Sequence, residues 1–148
     1  MSNVKSRFMT RRPGRPSRRG AALVECALVM PIMVLVVLGM FELGRAVMVT
    51  EVLAHTARTG ARAGSITTGT TAGVRAVVND VLADAGIDAS ACTVQVLVNG
   101  AATEVGSAKA GDEITVTVSV PYSAVTWVAN PEYLDGRNLS GRCVMRRE

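Results

Sequence analysis

Between Ala21 and Phe41 apolar residues follow one another with a single charge, Glu25, among them. About 21 helical residues at ~1.5 Å each span the roughly 30 Å hydrocarbon of a bilayer, so this pattern predicts a transmembrane helix. Pro31 would break a soluble helix. In a membrane helix neighbouring groups satisfy the freed carbonyl, and a kink near mid-span is expected. Beyond Phe41 the helical period persists: Leu43, Ala46, Val47, Leu53, Ala54 and Ala57 share one stripe, with Thr50 in its gap. Glu42, Arg45, Glu51 and Arg58 lie off that stripe, but so do Met48, Val49 and Val52, so the opposite face is not cleanly polar and is available to a partner. The helix is expected to leave the bilayer and run to about Arg62. Its last turns, "ARTGARAG", are small enough to let another helix or a sheet approach closely. Arg58 and Arg62 suit a helix C-terminus before the stop at Gly64.

The period then changes. "SITTGTT" is a hydroxyl-rich linker that supplies a cap at Thr70 or Thr71. Val74, Val77, Val78, Val81, Leu82 and Ala85 form the apolar stripe of a second helix, ended by Gly86. Two alternating runs follow: Cys92, Val94, Val96 and Val98, then Ile114, Val116, Val118 and Val120. They read as an antiparallel pair with one buried face, separated by the turn-rich "NGAATEVGSAKAGDE". Leu139, Gly141, Cys143 and Met145 mark a weaker third strand. Between the second and third strands, Val125 to Asn138 reads as an irregular connection in which Trp127 and Tyr133 cover an open edge of the core. The alternative for Trp127 is an exposed partner anchor.

Charge sharpens the picture once it is divided. Lys5, Arg7, Arg11, Arg12, Arg15, Arg18 and Arg19 contribute +7 to a chain total of +4, leaving −3 for everything after Gly20. The positive-inside rule then puts the N-terminus in the cytoplasm and the remainder outside the inner membrane. A positive excess confined to the leader, in a chain with two Phe, two Tyr and one Trp, does not suit a nucleic-acid surface. A cleavable secretory signal is the rival for the leader and run. The apolar run is too long for it, and the A-x-A letters of Ala61-Arg62-Ala63 lie about twenty residues too far on.

Candidate chemistry is sparse. His55 is the sole histidine, no CxxC spacing occurs, and P-loop, GxGxxG and GxSxG motifs are missing. Asp80, Asp84 and Asp88 sit four apart, the spacing of a solvated face. No enzyme activity, cofactor, metal or small-molecule substrate is expected. Of the three cysteines, Cys26 lies in the run, while Cys92 and Cys143, both inward-pointing on their strands, are either bridged or two free thiols. Glu25 is the residue that most needs an explanation, since an intramembrane carboxylate without a partner is costly. It either sits at headgroup level or meets a partner.

The arrangement of Gly20, then Ala21-Ala22-Leu23-Val24-Glu25, then a long apolar helix resembles the class III signal of type IV prepilins and pseudopilins. There a membrane peptidase cuts after the glycine. More narrowly, "RRGAALVECALVMPIMVLVVLGMFELGRA" with "TARTGARAG", "AGDEITVTVSVPY" and the terminal "CVMRRE" resembles the TadE-like family of the tight-adherence (Tad/Flp) pilus system, small single-span proteins described as minor pseudopilins. The resemblance implies processing between Gly20 and Ala21 by a prepilin peptidase. It also implies pairing of Glu25 with the N-terminal amine of a neighbouring pilin-like subunit, and partnership with pilus assembly components. Ala21 and Cys26 stand where pilin-like signals often carry aromatic or larger apolar residues, so cleaved and uncleaved forms both remain open.

The sequence thus predicts an α+β protein of three parts: a basic cytoplasmic leader (1–20), a transmembrane helix continuing outside the bilayer (21–63), and a small extracytoplasmic head (64–148) of one helix and about three antiparallel strands. Its expected role is assembly as a single-pass, inner-membrane pseudopilin. The alternatives are an uncleaved bitopic structural or adhesion anchor, or a secreted domain whose run is a removed signal.

Overall fold

The computed structural model describes residues 18–126 and 136–148. The leader ahead of Arg18, and Trp127 and Tyr133 with their connection, lie outside the described residues. The elements are α1 (Arg18–Ser65), α2 (Thr71–Asp84), β1 (Thr93–Val98), β2 (Glu113–Pro121) and β3 (Asn138–Arg146). The chain forms two compact units, Met1–Leu38 and Gly39–Glu148. The fold is α+β as expected, but the second unit begins inside α1.

In the first unit α1 stays helical through Pro31. Its apolar side chains, from Leu23 to Leu38, are solvent-exposed. A helix apolar on all sides and left exposed by the described residues is suited to lipid rather than water.

The second unit is built around a three-stranded antiparallel sheet in the order β1-β2-β3. Alternation decides which face is buried. Val96 and Val98 of β1 and Ile114, Val116, Val118 and Val120 of β2 turn inward, joined by Leu139, Cys143 and Met145 of β3. On the other face Thr115 is only 5% exposed, because its cross-strand neighbours Leu97 and Val144 cover it.

Two helices cover the inner face. α2 buries Val74, Val78 and Leu82, while Ala85, expected on the same stripe, is exposed just past the helix end. Thr70 caps its start by accepting from the Gly73 amide. At its end the Gly86 and Ile87 amides donate to the carbonyls of Ala83 and Leu82. This double bond requires a left-handed residue, which Gly86 supplies at φ 70°.

From α1 the buried residues are Val49, Leu53, Thr56, Ala57, Gly60, Ala61, Gly64 and Ser65. This corrects the expected stripe: Leu53 and Ala57 belong to it, but Leu43 and Val47 are exposed and Val49 is buried. The small residues are what allow contact. A methyl on Gly60 would stand 2.7 Å from Val78 Cγ2, and one on Gly64 would stand 3.1 Å from Val74 and 3.2 Å from Ile114 side-chain carbons. Gly141 of β3 is tighter still, since a Cβ there would collide with the backbone of Leu53 and Ala54.

The excursion from β1 to β2 opens with a tight turn at Asn99 (φ 51°) and Gly100 (φ 80°), closed by paired hydrogen bonds between Val98 and Ala101. It drops Val105 into the core, fully buried. Glu104 beside it accepts from the Thr71 amide at 2.8 Å, and Thr71 Oγ1 accepts from the Val105 amide at 3.0 Å. The excursion closes where Asp112 accepts from Asn99 Nδ2 and the Lys109 amide. Arg147, 7% exposed, donates through its guanidinium to the carbonyls of Val105 and Thr67. Those bonds make burial of its charge tolerable.

The Thr71 bonds hold Glu104 below its ordinary carboxyl value of 4.5, and the Asn99 and Lys109 bonds hold Asp112 below 3.8. A depressed folded-state value means that the stabilisation is complete above the ordinary value and fades as pH falls below it. Thermal melts of the full chain in detergent should therefore lose midpoint temperature on acidification below about pH 4.5, and Glu104→Gln should flatten part of that loss. Packing gives a second expectation. Gly141→Ala should destabilise the head by about 3 kcal/mol, because backbone cannot move aside as a side-chain tip can. Gly44→Ala, on an open face of α1, should instead leave the melt unchanged or raise it.

Candidate membrane anchor and assembly surface

Among the described residues one helix is long and apolar enough to cross a membrane, and it is α1. Gly20 and Ala21 lie in its first turns and are exposed, with nothing near the Gly20 Cα. Glu25 is exposed one turn further on. The three therefore lie within about two turns of one another on an exposed stretch of α1, with the Gly20–Ala21 peptide bond inside the helix. Cys26 beside Glu25 is an exposed free thiol.

Cys92 and Cys143 belong to the second unit, and the expected option of a bridge between them is corrected there. Both are free thiols, and both pack against the core as their alternation predicted. Cys92 leads into β1 and Cys143 lies on β3, opposite Val116 of β2. With β2 between them the separation is at least two strand spacings of about 4.8 Å, already past the ~7 Å at which a disulfide can form. Burial, with a smaller contribution from the Asp88 carboxylate, pushes the Cys92 thiol above its ordinary value of 9.0. It is therefore a protonated core side chain at neutral pH. Among the described residues no group of three or more His, Cys, Asp or Glu is placed to hold a metal.

The structure also gives roles to residues that periodicity had placed off the apolar stripe. Glu42 Oε2 accepts from the Tyr122 hydroxyl at 3.0 Å and from Thr126 Oγ1 at 3.1 Å. One turn on, Arg45 Nε donates to the Val125 carbonyl. The short turn Tyr122–Ala124 with its flanks thus engages both charges at the point where α1 leaves its apolar run. An i, i+3 pair of charges on one side of an otherwise apolar stretch was the sequence signal for this. Arg147 gave less warning, since nothing local distinguishes it from its neighbour Arg146, which is exposed.

The first unit thus offers an exposed apolar surface with one carboxylate near its start, and in the second unit the head packs on α1 from Val49 onward. No curated protein and no solved structure matches the chain. Residues 20–62, which begin at the glycine ahead of the apolar run and end in the small-residue contact with the sheet, match the family model described as TadE-like protein.

Proposed function

We propose that this chain is a single-pass inner-membrane pseudopilin that contributes, without enzymatic activity, to assembly of a tight-adherence (Flp-type) pilus or a related secretion apparatus. The observation that carries the reading is the TadE-like match over residues 20–62, coinciding with an exposed apolar helix that bears one carboxylate near its start. The helix anchors the subunit with its N-terminus in the cytoplasm, as the basic leader favours. A prepilin-type peptidase cuts between Gly20 and Ala21. Glu25 then pairs with the amine of a neighbouring pilin-like subunit, so a charge that is costly alone sets the register of assembly. The head, rigid through its contact with α1, presents a surface to pilins or machine components.

One observation favours a second reading, an uncleaved bitopic anchor. α1 already begins at Arg18, so the Gly20–Ala21 bond lies within a helix and must be unwound before a peptidase can reach it.

N-terminal sequencing of the protein purified from membranes separates the two, with Ala21 expected for the pseudopilin and Met1 or Ser2 for the anchor. Gly20→Trp should block the cut, and an unchanged mature mass would remove Gly20 as the processing site. Glu25→Ala should insert into the membrane normally but lose co-purification with pilin-like subunits. Full recovery of those partners would return Glu25 to the headgroup level.

A further inference from the structure

Along the stretch where α1 leaves its apolar run, the two sides of the helix differ. On the side turned to the sheet, Val49 and Leu53 are buried, and Glu42 and Arg45 are half-buried and engaged by Tyr122, Thr126 and the Val125 carbonyl. On the opposite side Phe41, Leu43, Val47 and Met48 are 64%, 70%, 63% and 66% exposed. At 3.6 residues per turn these four lie within about two turns of helix surface, and no charged side chain interrupts them. The outward side changes character only at Glu51, after which His55, Arg58 and Arg62 are all exposed.

We propose that this outward strip is a lipid-facing surface, so that on one side of α1 the bilayer reaches to Met48 rather than ending at Phe41. The inference rests on the membrane-span reading and extends it. Lipid is the occupant because the strip is continuous with the apolar run and shares its composition. Its lower boundary is a change from apolar to charged residues, as at a membrane surface. The charges that would oppose this depth, Glu42 and Arg45, are turned to the other side and held by the head. The length also agrees. From Cys26 to Met48 there are 23 residues, about 34 Å of helix, which matches a hydrocarbon thickness of ~30 Å at the usual tilt of about 20°.

The test uses the unmodified full chain in phosphatidylcholine vesicles containing a phosphatidylcholine with a photoactivatable diazirine on its acyl chain. Adducts are mapped to residues by mass spectrometry at two protein-to-lipid ratios. Expected are adducts at Leu35, Leu43, Val47 and Met48, with loss of adducts beyond Glu51. Adducts at Leu35 that stop at Phe41 overturn the extension and leave the span intact. Lack of adducts at Leu35 overturns the span reading itself. Adducts at Leu43, Val47 and Met48 that fade relative to Leu35 as protein is raised overturn lipid as the occupant and assign the strip to a second copy of the chain.

Discussion

The head depends on the absence of side chains where α1 meets the sheet. Gly141 lies so close to the backbone of Leu53 and Ala54 that no Cβ fits. Gly60 and Gly64 bring the same helix against Val74 and Val78 of α2 and Ile114 and Val116 of β2. A helix normally packs 8–10 Å from its neighbour because side chains intervene. Removing them at successive turns lets α1 lie almost directly on the strands. Without α1 the inner face of a three-stranded sheet would expose most of its valines and Ile114, and a sheet of that size with one short helix has little independent stability. The helix that carries the apolar run is therefore also the central element of the head's core.

This double use explains the uneven composition of α1. From Ala21 to Leu38 its side chains are exposed and, Glu25 apart, apolar. From Val49 to Gly64 one side is buried and made, Leu53 apart, of small or β-branched residues, with Thr56 satisfying its own hydroxyl on the Val52 carbonyl. Between these stretches the two charges Glu42 and Arg45 meet the turn after β2. A TadE-like match that ends at residue 62 covers the apolar run and the part of the helix on which the head is assembled. Within the second unit the head is joined to this helix by packed backbone as well as by the chain itself.

Much of this was legible in the residues. The long apolar helix, α2 with its Thr70 cap and Gly86 stop, the three strands and the small-residue contact of "ARTGARAG" all followed from periods of 3.6 and 2 and from residue size. What was not legible depended on tertiary placement. The stripe of α1 beyond Phe41 was assigned to the wrong phase because apolar residues occur on both sides of the helix, and hydropathy alone cannot tell a core from a second apolar environment. Alternation correctly turned Cys92 and Cys143 inward but could not give the strand order, and it is the central place of β2 that keeps them apart. Val105 and Arg147 were missed for a similar reason. Each sits in a segment with no period, and their burial follows from contacts with Thr67 and Thr71, far away in sequence.

The inseparability of α1 and the head is tested most directly by native-state hydrogen exchange on the full chain in lipid nanodiscs. Amides from Leu53 to Ala61 should open together with those of Val116 to Val120 in β2, with the same dependence on added denaturant. Protection of Leu53 to Ala61 that outlasts the opening of β2 would contradict this, showing the helix to be stable by itself and the head to be only an attachment to it.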